Sequence, residues 1–207
     1  MYQIHFPPPG PAAGTREPSV RFIYSFLLYL LVPWVLLRLA WRGRRNRGYW
    51  QRWGERFGFA PPLQDPVIWL HAVSVGETRA AQNLVIRLHK TYPRHQILLT
   101  HTTPTGRATS EQLYGDSVLR VYLPYDYPFV VNKFLRHFQP QLGILKEKEI
   151  WFNLIHACHE TGMPLLLLNA RMSEKSAREY LRFARLTRDV LGELAAVAAQ
   201  TADDAAR

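Results

Sequence analysis

Glu77 closes the segment Trp69-Leu70-His71-Ala72-Val73-Ser74-Val75-Gly76-Glu77, in which an apolar run gives way to small residues and a helical pattern then opens. Strand, tight turn and helix N-terminus follow from that order, and they place a carboxylate where an α/β sheet holds its ligand. One well-placed carboxylate can act as a general base, although an acid in a first helical turn also serves simply as a partner for the helix dipole. Ser74 and Gly76 would present backbone N–H groups to an anion or form only a tight turn. Thr103, Thr105 and Gly106 offer the same choice, with a threonine helix cap as the plainer account. Asn169 and Arg171 are polar groups at another strand end, and Arg171 suits a phosphate, a carboxylate or a salt bridge within the domain. Metal chemistry finds little support. His71 could approach Glu77 across the turn, but no H-x-x-x-H or C-x-x-C spacing occurs, and His156 and His159 beside Cys158 read as a partly exposed helix face. A G-x-G-x-x-G nucleotide loop is also missing.

The elements that must position these groups alternate along the chain. Strands are expected at Val67–His71, Gln96–Thr100, Val118–Leu123, Leu142–Leu145, Leu165–Asn169 and Ala195–Gln200, with helical patterns at 78–91, 107–114, 128–138, 150–161 and 174–192. This is the pattern of βαβ units, an α/β fold with a mostly parallel sheet and right-handed crossovers. Ligands of such sheets lie at the carboxyl ends of the strands, so Ser74–Glu77, Thr102–Gly106, Pro124–Asp126, Lys146–Glu149 and Ala170–Ser173 are expected to meet in space.

The 207 residues, 47% hydrophobic and 20% charged, suffice for one globular domain with appendages. The single cysteine, Cys158, lies in an apolar helical pattern and reads as a buried structural thiol. Residues 1–20, with Pro7-Pro8-Pro9-Gly10-Pro11, read as a disordered leader. Phe22 to Leu37 is an uncharged, leucine-rich run of 16 residues, and continuing it to Trp41 gives a membrane-anchor helix over 21–41, with Pro33 as the place for a kink. Both a single span and a helix lying in the interface remain open.

Of the formal net charge of +10, +6 falls between Arg38 and Arg56, where seven arginines face one acid, Glu55. A basic juxtamembrane helical segment over 42–65 directly after an apolar run favours an anionic membrane surface. No nucleic-acid partner is expected, because the patch lacks a stacking platform. By the positive-inside rule the domain over 66–207 faces the cytoplasm.

The strand-end segments, taken in order, resemble the 3-deoxy-D-manno-octulosonic acid (Kdo) transferases of lipopolysaccharide assembly. His71-Ala72-Val73-Ser74-Val75-Gly76-Glu77-Thr78 looks like the family's H-x-V-S-V-G-E-T signature, and Thr102-Thr103-Pro104-Thr105-Gly106 its T-x-T-P-T-G turn. Val121-Tyr122-Leu123-Pro124-Tyr125-Asp126, Glu147-Lys148-Glu149-Ile150-Trp151-Phe152-Asn153 and Asn169-Ala170-Arg171-Met172-Ser173 match V-Y-L-P-Y-D, E-T-E-L-W-P-N and N-A-R-L-S. Arg52-Trp53-Gly54-Glu55-Arg56-Phe57-Gly58 resembles the segment after the family's anchor.

The resemblance implies a GT-B arrangement of two Rossmann-like halves, of which this chain matches the first, acceptor-binding half. It implies inverting transfer of Kdo from CMP-Kdo to a hydroxyl of the lipid A precursor, with no cofactor besides that donor substrate. Glu77 takes the family's catalytic-base position and Glu147 the position that stabilises the transition state. Ser74, Gly76, Thr103, Thr105, Gly106, Asn169, Arg171 and Ser173 would contact substrate. The expected location is the inner membrane. The donor-binding half would come from elsewhere, a separate chain included, and the chain alone is expected to bind acceptor without transferring. Lys146 and Lys148 stand where the family has a methionine and a threonine, and Phe152 where it has a proline. These departures keep open a second reading, a non-catalytic membrane-associated binding protein.

Overall fold

The computed structural model describes residues 3–5, 19–60, 63, 65–146, 151–170, 184–201 and 203–204. Six parallel strands, β2 (Val67–His71), β3 (Gln96–His101), β4 (Leu119–Tyr122), β5 (Pro140–Leu145), β6 (Leu165–Ala170) and β7 (Ala196–Ala199), lie in the order β4-β3-β2-β5-β6-β7. A seventh, β1 (Gln3–His5), pairs antiparallel with β7, so Ile4 faces Ala198. That short strand lies inside the segment expected to be disordered. Its three residues carry no strand signal of their own, and pairing with the open edge of β7 supplies the order.

The central strands β2 and β3 bury both faces, and successive side chains sort to opposite sides. Val67 and Trp69 of β2, with Leu98 of β3 and Leu145 of β5, pack beneath α6 (Pro128–Phe138), α7 (Phe152–Glu160) and α8 (Ala184–Leu191). Ile68 and Leu70, with Ile97, Leu99 and Ile144, pack beneath α4 (Gln82–Thr91) and α5 (Pro104–Tyr114). Trp69 is fully buried, and its indole N–H donates to Thr100 Oγ1 at 2.8 Å.

The parallel strands and α6 follow the expected spans closely. The helix expected over 78–91 differs: α3 (Val75–Ala80) and α4 are separated at Ala81, and α3 starts three residues earlier because Ser74 caps it. Cys158 is buried as expected, and burial above all pushes its thiol up to about 12.

Gly143, on the central strand β5, shows how tight this core is. A Cβ there would lie 2.5 Å from Leu165 Cδ1, 3.0 Å from Trp69 Cε3 and 3.1 Å from Met163 Cε. Gly143→Ala gains backbone entropy worth about 0.5–1 kcal/mol, but overpacking costs about 1–3 kcal/mol. A net loss of about 1–2 kcal/mol is therefore expected in urea unfolding. Unchanged stability would mean that Leu165 and Met163 swing clear at no cost.

The apolar run after the leader forms two helices, α1 (Ser19–Leu30) and α2 (Val32–Arg45), bent by 51° at Leu31. Pro33, in the first turn of α2, supplies the reason: it has no N–H to continue the ladder, and its ring collides with the carbonyl four residues back. No single described helix is long and apolar enough to cross a membrane, whereas the bent pair together meets that length and composition. Short 3₁₀ turns at Arg47–Tyr49 and Trp53–Phe57 follow, where a helical segment was expected over 42–65.

The first helix, α1, rests on the domain. Tyr24 donates to Asp126 Oδ2 at 2.9 Å, and Ser25 to Asn153 Oδ1 at 3.0 Å. Both contacts fall at the carboxyl end of the sheet, on the loop after β4 and on the first turn of α7.

Candidate active site

β2 is flanked by β3 and β5, so the chain leaves it first to one side and later to the other. The crevice at such a switch point is where open α/β sheets bind ligands. The turn after β2, which carries Glu77, opens onto it together with the residue after β5, Lys146.

Ser74 has extended backbone and caps α3, its Oγ accepting the Glu77 N–H at 3.3 Å. The same hydroxyl donates to Glu77 Oε1 at 2.7 Å, and Oε2 accepts the Val73 N–H at 2.9 Å. This is a variant of the reciprocal capping box, reached from the S-x-x-E spacing alone. Glu77 therefore serves the turn as well as facing the crevice. A carboxylate has about four lone-pair sites, and the turn engages one on each oxygen.

Lys146 directly follows Leu145, whose Cα pairs with that of His71 at the end of β2. It is half-buried, and burial lowers its pKa while the Glu77 carboxylate pulls it back up. The expected consequence is directional: Glu77→Gln should lower the pKa of Lys146 further, read from its side-chain resonances by NMR titration. An unchanged Lys146 titration would mean the two charges do not face each other. Lys146 stands where the family has a methionine, in a strand-end segment expected to meet Ser74–Glu77; that it is a close electrostatic neighbour of Glu77 follows from β5 lying beside β2.

Thr103 is the N-cap of α5, accepting the Gly106 N–H at 3.1 Å and donating to Val73 O at 3.2 Å. The cap reading thus holds, and the two turns are tied together. Gly106 is buried at this junction, where a Cβ would come within 2.9 Å of Val73 O. Thr105 is exposed, its hydroxyl 3.4 Å from that of Thr103. Gly76 has only the Ser74 Oγ near its open side, at 3.9 Å. Asn169 is exposed with φ of 60°, at the point where the β6–β7 register shifts between Leu168 and Ala170. The shift marks a bulge at the carboxyl end of β6, and Asn tolerates its left-handed backbone. Glu147, Arg171 and Ser173 lie outside the described residues.

The two histidines under the crevice are core residues. His71 Nδ1 lies 2.8 Å from Thr100 Oγ1 and 3.1 Å from Thr100 O, and His101 Nδ1 lies 2.8 Å from Ala72 O. Burial drives their pKa values down to about 3 and about 4, so both are neutral near pH 7. Among the described residues no cluster of His, Cys, Asp or Glu is arranged to hold a metal ion. A broad cleft of about 880 Å³ lined by Asp65, His89, Arg94, His95, Ser117 and Gln141 lies at the amino ends of the strands, remote from Glu77.

The basic segment packs at the carboxyl ends of β3 and β4. Buried Glu55 accepts from Tyr122 N–H at 2.8 Å and from Arg107 Nη1 at 3.0 Å. Buried Arg56 donates to Thr102 O at 2.9 Å, with its guanidinium 4.0 Å from the Tyr122 ring centre. Asp126, 6% exposed, accepts the N–H groups of Asn153 and Leu154 at 3.1 and 2.9 Å as well as the Tyr24 hydroxyl. It thereby caps α7 and holds α1. In the sequence it stands in the strand-end segment Pro124–Asp126 and closes the V-Y-L-P-Y-D match, with nothing local to show what it holds.

The profile of the family described as 3-deoxy-D-manno-octulosonic-acid transferase (kdotransferase) matches residues 51–207. The chain belongs to the Kdo transferase family. It is 42% identical over 199 residues to the 3-deoxy-D-manno-octulosonic acid transferase of Bordetella pertussis, an alignment covering 90% of this chain and 46% of that protein. To the Haemophilus influenzae transferase it is 38% identical over 185 residues, covering 87% and 43%. The chain thus spans less than half the length of the Kdo transferases it matches. Among solved structures it is similar to Acinetobacter baumannii MurG at 15% identity and a TM-score of 0.38, covering 60% of this chain and 39% of that one, a likeness too slight to build on. The Kdo transferase profile begins at Gln51, so it takes in the Glu55–Arg56 network and every strand-end segment around Glu77.

Proposed function

We propose that this chain is the acceptor-side half of an inverting Kdo transferase in lipopolysaccharide synthesis, within a GT-B arrangement. CMP-Kdo is the donor and a lipid A precursor the acceptor. The observation that carries this reading is the position of Glu77 at the switch-point crevice, on the sheet end that also holds the helix pair. In the reaction, Glu77 takes the proton of the acceptor hydroxyl as its oxygen attacks the anomeric carbon of Kdo. The bond from that carbon to the CMP phosphate breaks on the opposite face, and CMP departs with the electron pair. Glu147 would stabilise the charge that develops, and the donor would sit mainly in the second half.

The helix pair would lie in the interface of the inner membrane with the domain on the cytoplasmic side. At 12 and 14 residues, α1 and α2 are about 18 and 21 Å long, short of a hydrocarbon core of about 30 Å. The inner face of α1 already packs on the domain through Tyr24 and Ser25, while Phe22, Phe26 and Leu30 of α1 and Trp34 and Leu37 of α2 are exposed. An amphipathic pair with arginines at its end suits an interfacial position. The test is a transfer assay in detergent with CMP-Kdo and lipid A precursor, for this chain with a family second half supplied. Transfer supports the reading, and its absence from folded, mixed halves favours the non-catalytic alternative.

A further inference from the structure

We propose that Lys146 is an anion subsite of the crevice, its ammonium receiving the carboxylate that Kdo carries on its anomeric carbon. It would thereby select a donor sugar acid over a neutral sugar. The inference rests on the inverting transfer proposed above and gives a substrate contact to a residue that stands where the family has a methionine. Its first support is geometry. Leu145 pairs with His71 in the register of β5 and β2, so Lys146 leaves its strand beside the turn that starts at Ala72. Within that turn Glu77 Oε2 accepts the Val73 N–H at 2.9 Å, which fixes the carboxylate close to the strand end. Base and ammonium thus stand on neighbouring strand ends, and each feels the charge of the other.

The second support is what surrounds the lysine. Its side chain is half-buried, and an ammonium withdrawn from water loses solvation that only a partner restores. Among the described residues none accepts a hydrogen bond from Lys146 Nζ, and no carboxylate forms a close ion pair with it. Glu77 acts on it through the field alone. The donors of the ammonium are therefore open to a ligand in the crevice.

The third support is the chemistry of the donor. In a near-attack geometry the acceptor oxygen lies about 3 Å from the anomeric carbon, with Glu77 hydrogen-bonded to that oxygen. The same carbon bears the sugar's carboxylate. Reaction therefore brings a second carboxylate close to Glu77, and like charges in one site repel. An ammonium beside Glu77 offsets that repulsion and makes charge-assisted hydrogen bonds to the incoming group. The CMP phosphate is the other donor anion, but inversion puts it on the opposite face of the sugar from the base. A phosphate of the lipid acceptor could supply the same anionic oxygens, and the kinetics below tell the two sources apart.

Lys146→Met and Lys146→Arg are assayed with a family second half supplied, varying CMP-Kdo and lipid A precursor in turn. Lys146→Met is expected to raise KM for CMP-Kdo about tenfold, the loss of one charge-assisted hydrogen bond, with KM for the acceptor within about twofold of wild type. Lys146→Arg should bring the donor KM back to within about threefold. An unmoved donor KM overturns the inference. So does an effect confined to the acceptor KM, which would assign the ammonium to a lipid phosphate. A second measurement needs no transfer. The full chain, its lysines carrying carbon-13 methyl groups, is mixed with unlabelled second half and titrated with free Kdo or with Kdo methyl ester. The resonance missing from Lys146→Met identifies Lys146, and it should shift with the acid and not with the ester. Equal response to both, or to neither, overturns the inference. An acid-specific shift in mixed halves that transfer nothing would uphold the subsite and refute the enzymatic reading.

Discussion

With a second half supplied, Glu77→Gln is expected to lower Kdo transfer about a thousandfold while leaving the fold in place. The reason lies in the chemistry of the two side chains. The amide matches the carboxylate in size but cannot take the acceptor proton, so attack must proceed from a neutral hydroxyl. Structurally the change is mild. One oxygen remains to accept from Val73 N–H or from the Ser74 hydroxyl, and the other hydrogen bond is lost or reversed. That costs about 1 kcal/mol. The split between a large loss in kcat and a small shift in melting temperature separates a base from a cap. Activity within threefold of wild type would remove Glu77 from the chemistry and leave it the capping role alone.

Asp126→Ala is expected to destabilise the protein by about 3–5 kcal/mol, because it strands two buried backbone N–H groups and removes the partner of Tyr24. It should also loosen α1, visible as faster hydrogen exchange over its residues. The ionisation of Asp126 adds a signature that a purely steric role would not produce. Burial is the dominant influence and pushes the carboxyl up to about 7, against the pull of the Asn153 and Leu154 N–H groups and the Tyr24 hydroxyl. In the unfolded chain the same group titrates near 3.8. Between these values the folded state keeps a proton that the unfolded state has lost. Stability from this group is therefore highest at low pH and falls as pH rises to about 7, after which it is level. The advantage of wild type over Asp126→Asn in urea unfolding should accordingly be larger at pH 5 than at pH 8, by on the order of 2 kcal/mol. An advantage that grows with pH would show the carboxylate to be held ionised instead.

Much of this architecture is written in short-range pattern. The parallel strands were legible because their apolar runs are bounded by polar or turn-forming residues, and α6 because Pro128 opens it and an amphipathic repeat carries it to Phe138. The cap at Thr103 was legible for the same reason, since it acts three residues along the chain, whereas Ser74, read as an anion site or a tight turn, proves to cap α3 over the same spacing. Pro33 marked the kink in the apolar run, though the pattern did not give two separate helices. The break at Ala81 and the pairing of Gln3–His5 left no local mark, the latter because its partner lies more than 190 residues away. What depends on strand order was beyond reach of local pattern. Placing β5 beside β2 sets Lys146 opposite Glu77, and folding α1 back onto the carboxyl end of the sheet joins Tyr24 to Asp126 across 102 residues. Sequence by itself determined the elements, their caps and the family, since these reside in contiguous residues. Only the tertiary structure decided that β5 lies beside β2, bringing Lys146 within electrostatic reach of Glu77, and that α1 docks on the same sheet end through Asp126, because long-range pairing and burial set which neighbours meet.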